Sequence, residues 1–160
     1  MAAPTTTEHR TTENTASTLL SLARVMNQFK THDTFCRQAG VDLDRGGAAL
    51  LYKLFSEGED VRLGELAERL GIDSPAVTRK VQQLERAGMV IRSPDPDDAR
   101  ASRVRLAPEG RRSIEKLLHA REVWLDEMLN GWPERDRAEL ARLLQLLATT
   151  IAGQGESHGD

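Results

Sequence analysis

The chain has 160 residues, 39% hydrophobic, 4% aromatic and 29% charged, and a formal net charge of −3. That length sustains one domain, or two small ones, whose core needs neither a disulfide nor a metal. The single cysteine, Cys36, has no partner for an internal disulfide. A lone thiol, no apolar run within residues 1–18 and no stretch of about 18 to 20 apolar residues predict a cytoplasmic protein without a membrane span, whereas a small acidic total leaves nucleic acid open, because it can conceal a basic segment.

Residues 1–16, rich in Thr and Glu, read as a disordered tail, and 153–160 read the same way. Leu19, Leu22, Met26 and Phe29 recur at spacings of three and four, which predicts one amphipathic helix over 17–39, closed by Gly40. A second helix starts at Asp44, carries Leu50, Leu51, Leu54 and Phe55 as its stripe and ends at Gly58; its early Gly46-Gly47 is unfavourable to a helix. Residues 62–73 form a short helix without a good cap, stopped by Gly71. Ser74 as N-cap and Pro75 at the first helical position then open another helix that closes at Gly88. The period then changes: 89–93 and 102–106 are β-prone runs around a polar tip, a hairpin with a long loop. Pro108 begins a long helix to about Asn130, and Pro133 a last one to about Ala152, striped by Leu140, Leu143, Leu144, Leu147 and Ile151. The expected fold is mainly α with a small β wing: N-terminal helices over 17–59, a winged helix-turn-helix lobe over 60–107 and C-terminal helices over 108–152.

Two short helices around a glycine turn can be a plain corner of a helical core, so the outward face has to decide. At 100° per residue Val77, Val81 and Leu84 share one side, which leaves Pro75, Arg79, Gln82 and Arg86 on the other, flanked by Thr78 and Gln83. Arg forks onto guanine, Gln pairs with adenine, and Thr suits phosphate or a thymine methyl. Charge agrees: residues 74–112 hold nine basic and five acidic side chains, +4, so the remainder carries −7. One positive surface on an otherwise acidic protein is what phosphate binding requires.

The tip over 94–101 holds three aspartates and one arginine. Asp98, by pairing with a basic neighbour or capping the turn, would fix the loop so that Arg100 projects, and a projecting arginine fits a narrow minor groove. The alternative is an Asp–Arg pair that only stabilises the loop.

The stretches LGELAERLGIDSPAVTRKVQQLERAGMVIR (63–92) and DPDDARASRVRLAPEG (95–110) resemble the MarR family of winged helix-turn-helix transcriptional regulators, and the flanking helices have that family's order and lengths. The resemblance implies a homodimer whose first and last two helices interlock, with two lobes on successive major grooves of a palindrome about 10 base pairs apart. Ser74, Ala76, Thr78, Arg79 and Gln82 would then touch the major groove, joined by Arg86 on the same outward face, and Arg100 the minor groove. It further implies repression released by a small aromatic or phenolic effector in a cleft, with His32, Cys36 and His119 as candidate lining residues. Some relatives respond through a cysteine or a metal instead. Cys36 reads here as an inert buried thiol; His32 and Cys36, four apart on one helix face, have metal-ligand spacing that His119 could join from a later helix, but a metal site usually needs three or four ligands with clear geometry.

No Gly-rich phosphate loop, G-x-S-x-G elbow or H-E-x-x-H occurs, so no enzyme, catalytic residue or cofactor is expected. A winged helix serving only protein contacts is the remaining alternative; Arg79, Gln82 and Arg86 argue against it.

Overall fold

The computed structural model describes residues 6–26, 29–58, 60–98 and 100–156. The elements run α1 (Thr6–Met26), α2 (Phe29–Ala39), α3 (Arg45–Glu57), β1 (Val61–Arg62), α4 (Leu63–Leu70), α5 (Ser74–Arg86), β2 (Val90–Pro94), β3 (Ser102–Leu106), α6 (Pro108–Met128) and α7 (Glu134–Glu156). The chain divides into two compact units after Arg121, within α6. Among the described residues no helix is long and apolar enough to cross a membrane. The fold is mainly α with a small antiparallel sheet, as the residue periodicities require.

Several boundaries differ from the sequence reading. Helix α1 begins at Thr6, so the tail expected over 1–16 is helical from residue 6 onward, residues 1–5 lying outside the described ones. No proline or glycine interrupts this stretch, and extending an existing helix costs far less than nucleating one. The single helix expected over 17–39 is two helices, Asn27 and Gln28 between them lying outside the described residues. Helix α7 runs to Glu156 and takes in part of the second expected tail, of which 157–160 are not described.

The first unit is built around α3, α4 and α5. Among the described residues, Leu50, Leu51 and Leu54 of α3, Leu66 of α4, Val77 and Val81 of α5, Val104 of β3 and Ile114 and Leu117 of α6 are its largest fully buried side chains. The wing has a third strand that sequence reading missed, because two residues carry no period. β1 pairs with β3 (Val61 opposite Val104, Arg62 opposite Arg103), and β3 pairs with β2 from Val90–Leu106 to Pro94–Ser102, giving the order β1-β3-β2. Helix α6 sits on this sheet through a close approach. The Ala107 N–H donates to the Met89 carbonyl at 3.0 Å, and a Cβ on Gly110 would stand 1.9 Å from that same oxygen. The APEG stretch thus ends on the residue without a side chain because backbone occupies its place.

The second unit comprises the end of α6, the turn at Gly131 and α7, with Arg137 donating to Asp126 across the turn. Leu125, Met128, Trp132, Leu143, Leu144, Leu146 and Ile151 are exposed.

Candidate nucleic-acid interface

The turn between α4 and α5 is made by Gly71, left-handed at φ 63°, whose N–H bonds back to α4. Asp73, not Ser74, then caps α5: its carboxylate accepts from the Ala76 N–H at 2.9 Å, which moves Ser74 and Pro75 into the first turn. A carboxylate is both a good cap and favourably charged for a helix N-terminus, so it outcompetes the serine beside it.

With that phase fixed, Val77, Val81 and Leu84 are buried and Ser74, Arg79 and Arg86 are exposed, Ala76, Thr78 and Gln82 being half-buried. Thr78 Oγ1 is engaged with the Ser74 carbonyl at 2.9 Å. A groove between α4, the start of α5 and the wing is lined by Arg62, Ser74, Thr78, Arg92, Arg100 and Ser102, among others, so the expected helix and wing residues share one surface.

The wing is held by a carboxylate that sequence reading passed over as a turn former. Asp95 is buried and accepts from Arg62 Nε at 2.7 Å, Arg62 Nη2 at 3.0 Å, Arg103 Nη1 at 3.1 Å and the N–H groups of Asp97 and Asp98 at 3.0 and 3.2 Å. Arg62 and Arg103 face each other on adjacent strands, where like charges repel; the shared carboxylate turns that repulsion into a clamp. The Arg62 hydrogen bond, with the Asp97 N–H and Arg103 behind it, holds the Asp95 carboxyl down from its ordinary 3.8 to about 2. Asp98 accepts from the N–H of Arg100 at 2.9 Å, so it fixes the loop by capping the turn and leaves the Arg100 guanidinium exposed.

The +4 segment sorts into framework and free cations. Lys80 pairs with Asp44, Arg103 with Asp95, Arg105 with Asp60 and Arg112 with Glu109; Arg92 donates to Ser102, and Arg111 stands over the Phe55 ring. Among the described residues no ion pair engages Arg79, Arg86 or Arg100. Exposed guanidinia held on a rigid helix and a clamped wing are what phosphates and base edges can use.

Residues 47–102 match the model of the MarR family. That segment takes in most of the winged helix-turn-helix lobe, which is similar to the MarR family. The Bacillus subtilis HTH-type transcriptional regulator YdgJ is 35% identical over 101 residues, a stretch spanning 63% of this chain and 62% of that protein. A MarR family protein from Bacillus stearothermophilus superposes with a TM-score of 0.79 at 23% identity, covering 90% of this chain and 97% of that one. A mutant S. aureus MepR, bound to an oligodeoxyribonucleotide, superposes at 0.60 with 16% identity over 85% of this chain and 96% of its own. These structural likenesses concern the fold, and the MarR-family match concerns the lobe that holds Arg79, Arg86 and Arg100.

Of the candidate effector residues, His32 and Cys36 come together, with His32 Nε2 and Cys36 Sγ 3.3 Å apart, and of the three only His32 reaches the cavity wall. A cavity of about 390 Å³ in the first unit is lined by Met26, His32, Phe35, Arg45, Ala48, Ala49, Tyr52 and Arg121; neither Cys36 nor His119 is among them. Cys36 is buried, its thiol pushed up by desolvation and donating to the Leu43 carbonyl at 3.3 Å, which is the setting of an inert thiol. His119 is exposed. Among the described residues no three His, Cys, Asp or Glu side chains gather as metal ligands.

Proposed function

We propose that this protein is a homodimeric, sequence-specific regulator of the MarR family acting on double-stranded DNA in the cytoplasm. Helix α5 enters the major groove with Arg79, Gln82 and Arg86 toward base edges and Ser74, Ala76 and Thr78 toward the backbone, while Arg100 reaches the adjacent minor groove. The observation that carries this reading is the sorting of cations: the other basic side chains of the lobe bind its own framework or pack on it, and among the described residues these three exposed arginines are engaged by no ion pair.

Two-fold assembly is supported by the exposed Leu20, Leu22 and Val25 of α1 and Leu143, Leu144, Leu146 and Ile151 of α7, more apolar surface than a lone chain keeps in water. A dimer matches a palindromic operator. The family resemblance implies repression released by a small aromatic or phenolic effector, and the Phe35–Tyr52 cavity with His32, Arg45 and Arg121 in its wall suits an anionic ring.

The test is operator titration with Arg79→Ala and Arg100→Ala. The first should lose discrimination at particular base positions, and the second should lose about 1 to 3 kcal/mol of affinity, most at sites with a narrow A·T-rich minor groove. Wild-type binding by both variants would refute the docking, and a log-affinity independent of log salt would favour the protein-interaction alternative.

A further inference from the structure

Gly46 and Gly47 open α3 although neither favours a helix, and nothing local in the sequence asks for them. The structure supplies the reason. A Cβ on Gly46 would stand 3.2 Å from Lys80 Cε, and one on Gly47 would stand 3.1 Å from Asp44 Oδ1 and 3.5 Å from Leu84 Cδ2. The bare first turn lets α5 close on α3 and lets the Lys80 chain cross it to Asp44, where Nζ donates to Oδ2 at 2.5 Å and also to Gln83 Oε1 at 2.8 Å.

Asp44 serves both sides. Its Oδ1 accepts from the Gly47 N–H at 2.7 Å, capping α3, while its Oδ2 holds α5. One residue earlier, the Leu43 carbonyl accepts from His32 Nε2 at 2.8 Å and from the Cys36 thiol at 3.3 Å. His32 is buried and forms part of the cavity wall. Two consecutive residues, Leu43 and Asp44, are therefore gripped from α2 on one side and from α5 on the other.

We infer that His32 is a positioning residue for the DNA-reading helix, acting through the Leu43 carbonyl and the Asp44–Lys80 pair. Lys80 is then a strut that sets the seat of α5 and makes no phosphate contact, and whatever occupies the cavity against His32 has a two-bond route to that strut. The inference rests on reading α5 as the DNA-reading helix. Coupling of this kind is measurable as non-additivity, which mere proximity would not produce.

The experiment is a double-mutant cycle of His32→Leu and Lys80→Met, titrated against a duplex selected by the wild-type protein from a randomised library. Each single variant should weaken binding about three- to fivefold, and the double variant about as much as one of them. Asp44→Asn keeps the cap acceptor but not the charge and should reproduce Lys80→Met, while His32→Gln keeps an N–H donor and should restore most of the loss. The salt slope of Lys80→Met should equal that of wild type; a slope smaller by about one would make Lys80 a phosphate contact and overturn the strut. Losses that multiply to about tenfold or more in the double variant would overturn the coupling. Arg79→Ala in the same titration separates the layers: a loss there with independent His32 and Lys80 effects refutes the coupling alone, and no loss there refutes the docking and the coupling with it.

Discussion

Replacing Gly110 with alanine sets two effects of opposite sign against each other. Residue 110 lies in the first turn and a half of α6, where alanine is worth about 1 kcal/mol over glycine by helix propensity. The added Cβ, however, would start 1.9 Å from the Met89 carbonyl oxygen, a backbone atom that no rotamer change can move away. Reaching ordinary contact requires α6 and the start of β2 to separate by more than about 1 Å, and gaps of that size forfeit a quarter to a half of each dispersion contact. The Ala107 N–H bond to Met89, now 3.0 Å, breaks with it, and Ile114 and Leu117 of the same helix lose their seat. Strain of about 1 to 3 kcal/mol and a buried unmade hydrogen bond of about 1 to 3 outweigh the propensity gain of about 1, for a net loss of roughly 1 to 5 kcal/mol. That is a large fraction of the stability of a domain this size. Urea unfolding followed by circular dichroism measures it, with Gly64→Ala as the control: no atom lies within 4 Å of the Cβ position there, so that variant should be neutral or gain up to about 1 kcal/mol. A Gly110→Ala protein as stable as the control would mean that α6 does not rest on β2.

Two further outcomes follow from titratable groups. Asp95 is held down to about 2, so its contribution is complete above its ordinary 3.8 and is lost as pH falls through the interval between them. The difference in melting temperature between wild type and Asp95→Asn should accordingly shrink as pH is lowered from about 5 to about 2, and a constant difference would show that the charge of Asp95 is not what clamps the wing. Cys36 is buried with its thiol pushed up, so iodoacetamide at neutral pH should label it slowly in the native protein and quickly in urea; rapid native labelling would return it to the class of reactive thiols.

Much of the lobe was legible because it is written locally. The 3.6-residue spacing of Val77, Val81 and Leu84 is enough to aim Arg79 and Arg86 outward, and Gly71 is enough to place the turn. The cap was assigned one residue late, since Asp73 and Ser74 are both cap formers and only the backbone phase separates them. The net +4 overstated the nucleic-acid surface, because a count of charges cannot say which of them are paired. Asp95 looked like any aspartate in a turn until Arg62 and Arg103 met on it.

What the sequence determined by itself is what depends on neighbours a turn apart: the helices of the lobe, the hairpin, the faces they bury and the resemblance those patterns carry. What only the tertiary structure decided are meetings between residues far apart in the chain, Arg62 with Asp95 at a separation of 33 and Asp44 with Lys80 at 36, together with the backbone approach that forbids a side chain at Gly110. Periodicity reports which way a side chain points, and nothing in it reports what will be there to receive it.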